Sequence, residues 1–341
     1  MAKLKDLLPD IQPNQPLKNH TTFKIGGPAE YFFEAHTTDE LIKAVKAARQ
    51  TNTPFIVIGN GSNILVSDKG VKGLVIKNSS QNIKVLDEAT QQFKKISLSP
   101  RYQTTDQQAI DLTNLQYNQS DYPSILVQLD SGATLPKAIF SLIQQGITGL
   151  EWFAGIPATI GGATFINLHG ADKYFSDYLV KAGILTSDNQ IKTVKADYFN
   201  FAYDHSTLKT KKDIVLNATL RLFKGPKDIA LKIAKGWALK KSHQPQQSAG
   251  CIFQNLSAEK QQELKLPTPS IGYLMDKVLG LKGKKSGNAV ISEKHAGFIH
   301  NLGNAKAADV LSLIQLMQSK AKEKLNLDLK LEIVLLGFDK V

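Results

Sequence analysis

Apolar and polar positions along this chain follow helical and strand-like periods in turn. In "TTDELIKAVKAARQTN" the apolar residues Leu41, Ile42, Val45 and Ala48 recur at helical spacing behind a Thr-Thr-Asp cap. "PFIVIG" and "GVKGLVIKN" then read as strands, so a β-α-β start followed by a further strand is expected. From about Asn78 to Ser124 the text turns rich in Gln, Asn, Ser and Thr, which predicts a polar insertion with surface hairpins or partial disorder. "SILVQLD" restores a strand, and a helix is expected over about Leu135 to Gln145. Beyond Lys224 the pattern changes again. "GPKDIALKIAKGWALKKSHQP" predicts a helix ended by Pro245, "SAGCIFQN" a glycine turn into a short strand, and "SIGYLMDKVLGLKG" a helix with a glycine stop. "NAVISEKHAGFIHN" reads as two short strands, "NAKAADVLSLIQLMQSKAKEKL" as a last helix and "LKLEIVLLG" as a terminal strand, together a separate α+β domain.

Two glycine-rich turns interrupt these elements, each after an apolar stretch. In "FIVIGNGSNILVSDKG" the turn follows a β-rich run, an arrangement whose backbone N–H groups can wrap an anion, although Gly and Asn also serve ordinary tight turns. The second, "GIPATIGGA", makes a dinucleotide cradle the better account of the pair. Neither is a G-x-G-x-x-G fingerprint, so a Rossmann fold is not favoured.

Composition narrows the class. With 341 residues, 42% hydrophobic and 21% charged, the chain is expected to be globular with two or three domains. No apolar run approaches the roughly 18 residues of a membrane span, and the start lacks the apolar core of a secretion signal, so a cytoplasmic protein is expected. A single cysteine, Cys251, excludes an internal disulfide framework and a cysteine-based metal cluster; no metal is expected. The net charge of +12 attracts anions, nucleotides among them. Nucleic acid is disfavoured because basic and aromatic residues do not interleave as in single-strand binders.

The segments "PLKNHTTFKIGGPAEYF", "IGNGSNILVSDKGVKGLVI", "GLEWFAGIPATIGGA", "SAGCIFQN", "SIGYLMDKVLGLKG" and "VISEKHAGFIHNLGNAKAADVLSLI" occur in an order and spacing that resembles the UDP-N-acetylenolpyruvoylglucosamine reductases, the MurB family of peptidoglycan synthesis. The resemblance implies an α+β chain: a two-subdomain FAD-binding region of the vanillyl-alcohol oxidase type, residues 1–78 and 79–224 with the insertion at about 79–123, followed by a substrate-binding domain at 225–341. It implies FAD as cofactor, NADPH as electron donor, a nucleotide sugar as substrate, no nucleic-acid or membrane partner, and a monomer. Thr22, Ile25, Gly26 and Gly27 would line the FAD, and Ile58, Gly59, Asn60, Gly61, Ser62 and Asn63 would wrap its pyrophosphate. Gly155, Ile156, Pro157, Thr159, Gly161, Gly162 and Ala163 would approach it from the second subdomain. "LRLFKGPKD" lacks the longer, tyrosine-bearing capping insertion of one subgroup, which implies the shorter type.

Three catalytic groups of the family carry over unevenly. Its serine proton donor falls on Cys251, and a thiol is intrinsically the better acid. Its glutamate falls on Glu332, where burial would raise the pKa so that the carboxyl donates a hydrogen bond to an enolate oxygen. Its arginine falls on Asp204 of "YDHS". A like charge ~4 Å from the intermediate would cost up to ~4 kcal/mol, roughly three powers of ten in rate. A protonated His205 or a lysine from elsewhere could substitute, or Asp204 could point away; otherwise the chain is a poor reductase. Among substrate residues, Tyr203, Phe253, Asn255, Ser292 and His295 match their motifs, whereas a phosphate-binding lysine becomes His243 and an Asn-Ala-Gly becomes "NLHG", with His169. A working reductase, a catalytically impaired relative that binds FAD and a nucleotide sugar, and a flavin dehydrogenase or oxidase with another substrate are the competing readings.

Overall fold

The computed structural model describes residues 3–88 and 117–338. Near the N-terminus the helix Thr38–Gln50 starts at a capping box: Thr37 Oγ1 accepts from the Glu40 N–H at 3.1 Å, and the Glu40 carboxylate accepts from the Thr37 N–H at 3.3 Å. Its buried stripe, Leu41, Ala44, Val45 and Ala48, packs against Leu74 and Ile76 of a four-stranded sheet. The strand order there is Gln12–Pro16, Pro28–Ala35, Val71–Asn78, Phe55–Ile58, antiparallel at the first pair and parallel at the others. The glycine turn at residues 59–63 therefore leaves the C-terminal end of a parallel edge strand, where α/β sheets commonly bind ligands.

The second sheet is antiparallel. Ile191–Lys195, Leu179–Leu185, Ile214–Lys224, Ser124–Asp130 and Ile83–Glu88 lie side by side, and Ile147–Thr148 adds to the end of Ile214–Lys224. The start of the expected polar insertion is thus a strand of this sheet, and its end is not surface loop either. Tyr117 and Gln119 are buried because they surround the fully buried Glu151 carboxylate, which accepts from Tyr117 Oη at 2.7 Å, Gln119 Nε2 at 2.8 Å and the Gly149 N–H at 2.6 Å. Burial and this carboxylate hold the Tyr117 hydroxyl well above the ordinary phenol range. The remainder of the predicted insertion, residues 89–116, lies outside the described residues.

The C-terminal sheet, in the order Ser248–Cys251, Phe298–Asn301, Ala289–Ile291, Lys285–Ser286, is covered by the helix Ala307–Leu325 through Val310, Leu313, Ile314 and Met317. Phe23, Ile25 and Leu65 share that core. Two expectations need correction here. "SIGYLMDKVLGLKG" makes one α turn, Ile271–Tyr273, and widens to a π turn over Leu274–Val278 before Gly280 stops it. The wider turn, closed by Leu279 N–H donating to Leu274 O, seats both Leu274 and Met275 in the core. "LKLEIVLLG" is not one strand: Leu331 bridges Phe253, whereas Val334–Leu336 pairs in parallel with Ile64–Val66. Glu332 sits where the chain changes partners.

Candidate active site

The two glycine turns meet. Asn60 Nδ2 donates to Pro157 O at 3.1 Å, and a Cβ on Gly59 would stand 2.4 Å from Thr159 Oγ1. Gly61 has φ 63° and a Cβ there would lie 2.2 Å from His20 O, so only glycine closes this turn. The N–H groups of Asn60, Gly61 and Ser62 have no acceptor among the described residues. Three successive backbone donors of this kind fit a pyrophosphate.

Other expected cofactor residues are held by the protein itself. Thr22 Oγ1 donates to Ser248 O at 2.7 Å, Ile25 is in the core, and Gly27 donates to Ser67 O. A Cβ on Gly26, at φ 144°, would meet Val66, and Ile58 is buried. Asn63 Nδ2 donates to Glu332 O at 3.1 Å, tying the first glycine turn to the backbone of Glu332. In the second turn Thr159 caps the helix Ile160–Ile166 by accepting from the Gly162 N–H at 3.2 Å, Gly161 donates to Ser131 O, and Ala163 is buried beneath. Gly155, Ile156 and Pro157 remain partly or fully accessible.

Cys251 ends the strand Ser248–Cys251, and the Glu332 N–H donates to the carbonyl of the next residue, Ile252, at 2.9 Å. These two acids are thereby brought together. Opposite them, Tyr203 Oη accepts from the Asn255 N–H at 3.4 Å, and the Tyr203 ring lies 5.2 Å from that of His169. Burial, reinforced by Asp204, pushes Glu332 up to about 8, with Lys209 and Lys241 opposing. Burial and then Glu332 push the Cys251 thiol up to about 12, with Lys241 opposing. Burial and then Glu332 bring Tyr203 to about 12. At neutral pH the thiol, the phenol and most of the Glu332 carboxyl therefore carry their protons.

Asp204 is buried at φ 47° and is not the bare like charge its position suggests. Its Oδ2 accepts from Lys209 Nζ at 3.1 Å and from Gln254 Nε2 at 2.6 Å; Oδ1 has no partner. Lys209 opposes the like charge expected from sequence, while Asp204 still acts on Glu332.

Several expected substrate residues make contacts within the scaffold. Phe253 is fully buried in the core, so the expectation that it faces substrate is corrected. Ser292 Oγ accepts from the Lys294 and His295 N–H groups, closing a tight turn. Asn255 Oδ1 accepts from the Ile271 N–H. His295 Nδ1 accepts from the Gly297 N–H, and burial lowers its pKa, as it does for His169, so both imidazoles favour the neutral form. His243 is exposed just past the helix Lys227–Ser242.

Three groups escaped the sequence reading: Lys209, Gln254 and Lys241. Lys241 carried a signal, since it continues the stripe Ala230, Ala234, Trp237, Ala238 at helical spacing and so lies on the inward face of a lysine-rich helix.

Comparison with known proteins gives the family. Residues 242–336 match the model for the UDP-N-acetylenolpyruvoylglucosamine reductase C-terminal domain, and residues 29–96 match an FAD binding domain. The reductase of Agathobacter rectalis is 34% identical over 95% of this chain and 93% of its own length. That of Caldanaerobacter subterraneus is 34% identical over 98% and 97%. The crystal structure of the Thermus caldophilus reductase, 29% identical, superposes with a TM-score of 0.68 over 96% of this chain and 98% of its own. The chain therefore belongs to the UDP-N-acetylenolpyruvoylglucosamine reductase family, the FAD-binding oxidoreductases of peptidoglycan synthesis.

Proposed function

We propose that this chain reduces UDP-N-acetylglucosamine enolpyruvate to UDP-N-acetylmuramate at the expense of NADPH. The convergence of a protonated Cys251 and a protonated Glu332 beside the paired glycine turns carries this reading. FAD, when bound, would supply the hydride chemistry, and the N–H groups of Asn60, Gly61 and Ser62 would hold its pyrophosphate. Hydride added to one carbon of the enolpyruvyl double bond drives negative charge toward the substrate carboxylate. The neutral Glu332 carboxyl donates a hydrogen bond to the oxygen where that charge collects. Cys251 Sγ–H transfers its proton to the neighbouring carbon, and the thiolate recovers a proton from solvent. Tyr203, kept protonated, remains a hydrogen-bond donor at the edge of this cluster.

The test is anaerobic. The yellow protein is reduced with NADPH, the enolpyruvyl nucleotide is added, and flavin reoxidation is followed by absorbance. Reoxidation within seconds is expected. Stable reduced flavin in the presence of bound nucleotide would overturn the reading and favour the binding-only relative suggested by Asp204.

A further inference from the structure

We infer that Lys241 supplies the cation for the substrate's carboxylate, in the place of the arginine that Asp204 displaces. The inference deepens the proposed function and rests on it for the identity of the anion. Lys241 lies in the last turn of the helix Lys227–Ser242, where helix carbonyls favour a positive charge. Its stem is pinned to the second glycine turn: a Cβ on Gly155 would stand 2.8 Å from Lys241 Cβ and 2.9 Å from Ala238 Cα. Gly155, at φ 84°, is what lets the helix end approach that turn.

The ammonium has no hydrogen-bond or ion-pair partner among the described residues, unlike Lys209, which is committed to Asp204. The acids acting on it are Cys251 and Glu332, and it acts in turn on His169 and His295. Around it, the thiol and the Glu332 carboxyl are protonated at neutral pH, both imidazoles favour the neutral form, and Asp204 is ion-paired with Lys209. The cluster is left with a net positive charge beside its two proton-bearing groups, and the neighbouring Lys240, whose ammonium lies over the Trp237 ring, adds to it. Burial depresses the pKa of Lys241, so the site favours an anion that restores the ammonium's lost solvation. A carboxylate on the reacting group meets that need, and the same ammonium then stabilises charge building on that carboxylate during reduction.

The experiment titrates the FAD-loaded protein by calorimetry with two probes, UDP-N-acetylglucosamine enolpyruvate and UDP-N-acetylglucosamine, which lacks the carboxylate. Wild type is compared with Lys241→Met and Lys241→Arg, each checked for FAD content and melting temperature. Lys241→Met is expected to lose about tenfold or more in affinity for the enolpyruvyl probe alone, a size expected for an unmade charge contact. Lys241→Arg is expected to keep the wild-type preference. Flavin reoxidation in Lys241→Met is expected to slow about a hundredfold, as for loss of one preorganised donor. Unchanged preference in Lys241→Met, equal loss for both probes, or absence of preference in the wild type overturns the inference. A Lys241-dependent preference without reoxidation in the wild type sustains the inference and refutes the reductase. Equal reoxidation by wild type and Lys241→Met does the reverse.

Discussion

Replacing Glu332 with Gln removes a proton that the folded protein holds far above its ordinary range. The ordinary carboxyl value is 4.5 and the folded one about 8. The unfolded chain thus releases its proton near 4.5 while the native state keeps it to about 8, and between those values the native state binds more protons. The sign follows directly. The native state is not penalised below pH 4.5, and stability falls as pH rises toward 8. At 1.36 kcal/mol per pKa unit the full gap would approach about 5 kcal/mol; because Glu332 is half-buried, solvent screening trims this to about 2–4 kcal/mol. Glutamine is nearly isosteric and does not titrate. Urea unfolding of both proteins at pH 5 and pH 8 should therefore give curves that nearly coincide at pH 5, with Glu332→Gln about 2–4 kcal/mol more stable at pH 8. The same carboxyl should impose a fall in kcat/KM above pH 8 that Glu332→Gln lacks. Parallel stability curves for the two proteins across this range would refute the claim that Glu332 is held neutral.

Asp204→Asn removes the second contributor to the raised Glu332 pKa, so the alkaline fall in activity should move to lower pH; a fall that stays in place refutes the coupling. Asp204→Arg would place a guanidinium against Lys209 in a buried position and should lower the urea midpoint rather than raise the reoxidation rate. Cys251→Ser should keep turnover within about tenfold, whereas Cys251→Ala should lose about a hundredfold or more in flavin reoxidation while still accepting electrons from NADPH. Gly61→Ala forces a Cβ against His20 O at a positive φ and should cost about 1–3 kcal/mol, read as weakened FAD retention on gel filtration.

Local physics made much of the fold legible. The helices Thr38–Gln50, Leu135–Gln144, Lys227–Ser242 and Ala307–Leu325 announce themselves through apolar stripes, caps and stops, which neighbours in sequence decide. The π turn at Leu274–Val278 was hidden because its pattern fits an ordinary helix; only the demand to bury Leu274 and Met275 together widens it. The terminal strand was misread for a related reason. Its apolar run is continuous, and the exchange of partners at Glu332 depends on two distant segments, Phe253 and Ile64–Val66. Tyr117 and Gln119 read as loop because their partner, Glu151, is remote in sequence.

The order of residues alone determined the family, the two glycine turns and the positions of Cys251 and Glu332, since each rests on a short contiguous motif. It also exposed Asp204 as a departure, but not what that departure costs. That was decided by tertiary structure. Whether a charge is compensated depends on distances between segments far apart in the chain, and folding places Lys209 and Gln254 on Asp204 while leaving Lys241 without a partner among the described residues, beside Cys251 and Glu332.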